Sequence, residues 1–318
     1  MKRPTIGDIA KRAGVSKGAV SFALNGRPGV STETRSKVLA IAEQMGWAPN
    51  NAARALSAAK SGSVGLLLAR PAKILGLEPF FMQLFSGIEA ELSDRSLALL
   101  LQVVPDVRTE CEVYRRWWAE RRIDGVIVVD PRTDDPRFEV LAELGLPSVV
   151  VGSKVADEQR GGVWADEHVG VRSILEYLAA LGHTRIARVA GLPELKHTQD
   201  RTDAFDEVAA ELNLTTQVVH SDYSGEQGGQ ATRRLLSARP RPTAIMFDND
   251  VMTVAGLSVA QEMGLTVPKD LSLVSWDDSA LCRLVHPPLT TLSRDVAEYG
   301  AAAARILTAV LAGEPGRA

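Results

Sequence analysis

Ten of the first sixty residues are Lys or Arg (Lys2, Arg3, Lys11, Arg12, Lys17, Arg27, Arg35, Lys37, Arg54 and Lys60), against three acids, Asp8, Glu33 and Glu43. That net +7, in a 318-residue chain whose formal charge is −3, leaves −10 for the remainder. A basic head on an acidic body is chemistry for a polyanion at the head alone, because each Lys or Arg set on a phosphate releases counterions. A solvated basic face would give the same tally, so the spacing of the other residues has to decide. Reactive side chains elsewhere are sparse. Cys111 and Cys282 lie far apart, match no metal-ligand or redox spacing, and are expected to be buried thiols. The five histidines, His168, His183, His197, His220 and His286, are scattered without ligand spacing, and His183 is expected to be structural. There is no Walker lysine loop, and Gly225-Glu226-Gln227-Gly228-Gly229 lacks dinucleotide-fingerprint spacing. Catalysis finds no residues to carry it, and neither cofactor nor metal is expected.

The elements that must position the basic residues are short helices. Thr5-Ile6-Gly7-Asp8 has the form of a capping box, so a helix is expected from Ile6 through Ala13, ended by Gly14 in the left-handed conformation. Ser16 can cap a second helix, Lys17 to Asn25, with Val20 and Leu24 facing inward and Lys17, Gly18, Ser21 and Phe22 outward. A third follows Ser31, carries Val38, Ile41, Ala42 and Met45 at core spacing, and stops at Gly46. Two short helices on a tight Gly-containing turn place the second in a DNA major groove.

At these residues the chain resembles the LacI family of repressors. The resemblance runs through Thr5-Ile6-Gly7-Asp8-Ile9-Ala10, Ala13-Gly14-Val15-Ser16, Val20-Ser21, Leu24-Asn25-Gly26, Val30-Ser31, Thr34-Arg35 and Trp47-Ala48-Pro49-Asn50. It implies that Lys17, Gly18, Ser21 and Phe22 lie nearest the base edges, with Thr5, Ser16, Ala19, Asn25 and Ser31 also on the DNA-binding surface. Many members carry Thr at the position of Ala19 and Arg at that of Phe22. Phe can pack on a thymine methyl but cannot read guanine as Arg does, so the operator should differ at that step. The alternative for Phe22 is a ring folded back on Met45 or Trp47. Residues 50–59, with five alanines around Arg54 and Leu56, are too short for a stable isolated helix. The resemblance makes them a hinge that folds in the operator's minor groove, with Asn50, Ala53, Arg54 and Leu56 as contacts and Leu56 as a wedge. A flexible Ala/Ser linker is the other reading.

From Ser61 onward, short apolar runs alternate with helical segments, the pattern of parallel sheets covered by helices. Strands are expected at Val64 to Ala69, Ala98 to Val103, Gly125 to Val129, Ser148 to Val151, Arg185 to Ala190, Thr216 to His220, Ala244 to Asp248 and Ser272 to Trp276. Helices are expected around residues 81–93, 110–121, 138–144, 168–181, 201–212, 225–237, 251–263 and 296–312. The resemblance continues through Leu181-Gly182-His183, Arg201 with Phe205, Asp250, Gly264-Leu265, Val267-Pro268, Asp277-Asp278 and Pro288-Leu289-Thr290-Thr291. It implies an α/β module of two lobes, like periplasmic sugar-binding proteins, with a small sugar-like effector between them. Ligands in such sheets sit beyond the strands' carboxyl ends. By that resemblance Arg201 contacts ligand, Asp250 and Asp277 accept from hydroxyls, Phe80 and Phe81 line the cleft, Trp276 precedes Asp277, and Arg294 falls where many members have Gln. An interlobe ion pair is the alternative for Arg201, and core packing for the aromatics.

The expected organisation is therefore an all-α helix-turn-helix head at 1–48, a hinge at 49–61 and a two-lobed α/β effector and dimerisation domain at 62–318. Lobe 1 should take about 62–160 and 291–314, and lobe 2 about 161–290. Family members usually continue into a final strand after the last helix, so the second lobe is expected to be short of an edge strand, or the chain shortened. No C-terminal Leu heptad is present, which leaves a homodimer as the default. No run approaches the ~20 apolar residues of a membrane helix, and Met1 to Ala10 has no apolar signal region, so a cytoplasmic regulator of double-stranded operator DNA is expected. A transport-type sugar-binding protein would share the lobes but has no use for a basic helix-turn-helix.

Overall fold

The computed structural model describes residues 4–47, 60–71, 76, 78–154 and 161–314. It divides into two compact units, Met1–Ser61 and Gly62–Ala318. In the first, α1 (Ile6–Ala13), α2 (Lys17–Leu24) and α3 (Thr32–Gln44) enclose a small core of Ile9, Ala13, Val20, Ala23, Val38 and Ala42. The capping box forms: Thr5 Oγ1 accepts from the Asp8 N–H, and the Thr5 N–H donates back to Asp8 at 2.9 Å. Gly14 ends α1 at φ 70°, a left-handed conformation that glycine adopts without a Cβ penalty.

The second unit holds two five-stranded parallel sheets. The first contains β1 (Ser63–Leu68), β2 (Ala98–Val103), β3 (Gly125–Val128), β4 (Ser148–Val151) and β5 (Gly161–Val163), in the order β2-β1-β3-β4-β5. The second contains β6 (Arg185–Ala190), β7 (Thr215–His220), β8 (Ala244–Phe247), β9 (Ser272–Ser275) and β10 (Thr290–Thr291), in the order β10-β9-β8-β6-β7. Strands covered on both faces read as continuous apolar runs, and their alternate residues feed two different cores. Thus Val64, Leu66 and Leu68 pack with α4 (Pro79–Asp94) and α12 (Val296–Leu311), while Leu67 packs with α5 (Val107–Ala119) and α6 (Pro136–Leu144). In the second sheet Ala187, Val189, Ile245 and Phe247 face α9 (Gly225–Ser237) and α10 (Asp250–Glu262), whereas Ile186, Ala244 and Met246 face α7 (Glu167–Ala180) and α8 (Lys196–Glu211). A short α11 (Ala280–Leu284) precedes β10.

The chain passes from first sheet to second after β5 and returns after β10, so α12 completes the first lobe. There α12 crosses α4 so closely that a Cβ on Gly87 would sit 1.8 Å from the Ala297 carbonyl oxygen. Three features differ from expectation. The Gly161–Val163 segment, placed with the second lobe by sequence, is the edge of the first sheet. At the edge of the second sheet β10, which precedes the last helix, pairs with β9 and is not among the expected strands. Both strands are too short to show a period. Helix α8 begins at Lys196, five residues before the expected start, because its first turn is polar and Leu195 offers no side-chain cap.

Candidate functional site

In the head, the hydroxyls that could touch DNA are already organising helices. Ser16 Oγ accepts from the Ala19 N–H at 3.1 Å, and Ser31 Oγ accepts from the Thr34 N–H at 3.2 Å. Val20 and Ala23 turn α2 inward, which leaves Lys17, Gly18, Phe22 and Asn25 exposed and Ala19 and Ser21 half-buried. The Asn25 amide donates to the Ser21 carbonyl at 2.8 Å and closes the helix end. Phe22 is 41% exposed and stands outside the core that takes in Met45 and Trp47, with its ring edge beside Gly29. The folded-back alternative is not the conformation adopted. Asn50, Ala53, Arg54 and Leu56 lie outside the described residues.

In the second unit, strand ends of both sheets meet at one cleft, partly open to solvent. Arg70 follows β1, Asp130 follows β3, Asp248 follows β8 and Asp277 follows β9, and all four line it. Its cations are paired: Arg70 Nε with Asp130 at 2.8 Å, Arg201 Nε with Glu167 at 2.6 Å, and Arg294 with Asp277 at 2.6 Å. Behind the wall Arg188 donates to both oxygens of Asp248, at 2.8 and 2.7 Å, with both residues buried. Burial alone would raise the Asp130 and Asp248 carboxyls, but Arg70 and Arg188 outweigh it and hold both below the usual carboxylate range. Glu78, at the N-terminus of α4, keeps a weaker partner: Asn249 Nδ2 donates to its Oε1 at 3.3 Å, across from the second sheet's side. Burial pushes its carboxyl up to about 7. Burial, with Arg201 nearby, pushes His197 down to about 3, so its imidazole is neutral where its Nε2 meets the Tyr223 hydroxyl at 2.8 Å.

Of the residues singled out by sequence, Phe80, Phe81, Arg201, Asp277 and Arg294 line this cleft. Trp276 stands behind it, its ring centre 4.0 Å from the Arg201 guanidinium. Asp250 is not on the lining: it opens α10, its Oδ1 accepts the Val251 N–H at 2.8 Å, and burial pushes its carboxyl up to about 6. The strand-end acid facing the cleft is Asp248, two residues earlier. The interlobe ion pair considered for Arg201 is not the one formed, since its partner Glu167 belongs to the same lobe. Sequence reasoning missed Arg70, Glu78, Asp130, Glu167, His197, Tyr223 and Asp248. The signal for Arg70, Asp130 and Asp248 was present, because each sits within two residues of a strand's carboxyl end. His183 is structural, bridging Thr243 and Ser272 at 2.9 and 3.0 Å, and both cysteines are free and buried. No helix among the described residues is long and apolar enough to cross a membrane.

Comparison with known proteins agrees with this architecture. A profile described as bacterial regulatory proteins, lacI family, matches residues 5–50, and one for a periplasmic binding protein-like domain matches residues 175–318. The HTH-type transcriptional regulator CelR of Thermobifida fusca is 31% identical over 318 residues, covering 98% of this chain and 93% of the relative. The solved CelR–cellobiose complex superposes with a TM-score of 0.75 at 29% identity, over 99% of this chain and 96% of that one. The lac repressor dimer bound to operator and the anti-inducer ONPF gives 0.87 at 25% identity, over 98% and 94%. A helix-turn-helix head joined to a two-lobed α/β module defines a transcriptional regulator of the DNA-binding, periplasmic-binding-protein-like class. The chain belongs to the LacI family of such regulators.

Proposed function

We propose that the protein is a cytoplasmic repressor that binds a palindromic operator as a homodimer and is switched by a small sugar-like effector held in the cleft. The observation that carries the reading is the convergence of guanidinium, carboxylate and aromatic groups in one cleft at the strand ends of both sheets. Open α/β sheets bind ligands there, and a cleft lined by rings and a few fixed polar groups suits a sugar. CelR, captured with cellobiose, supplies the analogy for ligand class. The exposed face of α2, with Lys17, Gly18, Phe22 and Asn25 outermost, is the reading surface, and residues 50–59 with Leu56 are the hinge contact. A two-fold dimer reads two half-sites in opposite orientations.

Selection from random duplexes tests the operator. It should recover inverted repeats whose affinity falls steeply with salt through the +7 head. A single asymmetric site would overturn the dimeric reading.

A further inference from the structure

Two buried polar atoms on the cleft wall lack a hydrogen-bond partner among the described residues: Glu78 Oε2 and Arg70 Nη1. Glu78 and Arg70 are only 6% and 4% exposed, so neither atom reaches bulk water. Their other atoms are held in place. Asn249 grips Glu78 Oε1, while Arg70 Nε is fixed on Asp130 and its guanidinium lies 4.7 Å from the Tyr223 ring centre. The two charges are close enough to act on one another. A buried donor and a buried acceptor left unmatched cost free energy, most of all when charged, and a ligand that matches both recovers it.

The charge of the surroundings narrows what that ligand can be. The lining carries five carboxyl groups, Glu78, Asp130, Glu167, Asp248 and Asp277, against three guanidinium groups, Arg70, Arg201 and Arg294. Each guanidinium already has a carboxylate partner, and His197 is held neutral. A phosphate or carboxylate entering the cleft would meet no cation without a carboxylate partner and, above about pH 7 where Glu78 is ionised, would face its charge. An ammonium would suit Glu78 but meet Arg70 beside it. A hydroxyl group satisfies both orphan atoms, donating to one and accepting from the other.

We infer that the effector is an uncharged polyol that sets hydroxyl groups on Glu78 Oε2 and Arg70 Nη1, and that Glu78 makes the site refuse the acidic and phosphorylated counterparts of that polyol. This rests on the effector reading above and assigns Glu78 as the specificity-determining residue. Discrimination of this kind comes from a repulsive element as much as an attractive one.

The test titrates the full-length chain with matched probes. These are D-glucose, D-glucosamine, D-glucuronate and glucose 6-phosphate, the corresponding galactose series, and cellobiose, read by calorimetry and by operator affinity. A neutral probe should bind, with its carboxylate and phosphate counterparts at least about 30-fold weaker. Glu78→Gln should narrow that gap to under about 5-fold. Arg70→Lys keeps a cation for Asp130 but removes Nη1, and should weaken the neutral probe about tenfold, the worth of roughly one such hydrogen bond. It tests the site independently of Glu78→Gln. An acidic or phosphorylated probe binding as tightly as its neutral counterpart would overturn the inference and leave the effector reading standing. An undiminished gap in Glu78→Gln would overturn the role of that residue. Silence from every probe would count against both.

Discussion

Hydroxyls in the head, on Thr5, Ser16 and Ser31, cap helix ends, and Lys11, Arg12, Lys17, Arg27 and Lys37 stay at the surface, ready for a partner that neutralises them. In the cleft the arrangement is reversed: cations are buried against carboxylates, and the surplus is one carboxyl, Glu78, with an unmatched oxygen among the described residues. A surface that reads a polyanion can be built from exposed charge, because the ligand supplies the counter-charge. A cleft for a small uncharged molecule has to neutralise its own charges first and then bind through direction, not net attraction. The two regions should therefore respond differently to substitution: the head mildly and through helix ends, the cleft strongly and through broken pairs.

The largest effect is expected at the Arg188–Asp248 pair. Asp248→Ala leaves a buried guanidinium without its carboxylate and also removes the acceptor of the Gly191 N–H at 3.0 Å. Breaking such a pair from one side costs about 3–5 kcal/mol, so urea denaturation followed at the 62–318 unit should show a loss of that size. A loss below about 1 kcal/mol would mean that the pair is not what stabilises this wall.

Glu78 comes next, and its effect depends on pH. In the native chain burial holds its proton up to about pH 7, whereas the free group loses it near 4.5. Between those values the native state binds more protons than the unfolded one, so stability falls as pH rises and levels off above about 7. Glu78→Gln removes that penalty. Relative to wild type it should gain little near pH 4.5 and up to roughly 3 kcal/mol at pH 8, since each tenfold difference in proton affinity between the two states is worth about 1.4 kcal/mol. Paired denaturation curves at the two pH values measure this, and a pH-independent difference would contradict it. The raised carboxyl of Asp250 is present in both proteins and cancels.

A smaller loss, about 1 kcal/mol, is expected for Ser16→Ala, which removes the side-chain cap of α2. Thermal unfolding of the head should register it while the cleft unit is unchanged. A drop as large as that of Asp248→Ala would erase the contrast between the regions.

The same contrast explains what could be read in the sequence. The head was legible almost residue by residue, because caps and turn glycines act over three or four positions and Thr5-Asp8, Gly14, Ser16 and Ser31 each mark a boundary alone. Apolar runs also placed the inner strands, since β1, β3, β4, β6, β8 and β9 are buried on both faces. Pairings were not legible. Glu78 meets Asn249 across 171 positions, and Arg188 meets Asp248 across 60, so no local pattern joins them. Asp250 stays off the lining for a local reason: it opens α10 with its carboxyl turned to the next backbone amide, and the residue two positions earlier faces the cleft.

The central claim, that an effector in the cleft controls operator binding by the head, is tested most directly at Arg201, which is fixed by Glu167 and Trp276 within the second unit. The measurement is operator affinity of wild type and Arg201→Ala, with and without a sugar that shifts the wild-type value. Without sugar the two proteins should bind operator equally. With it, only wild type should respond, because losing one or more charged hydrogen bonds of roughly 1.5–3 kcal/mol each weakens the ligand tenfold or more, and a ligand shifts an equilibrium only through differential affinity. An undiminished response in Arg201→Ala would contradict the account, as would operator binding lost before any sugar is added.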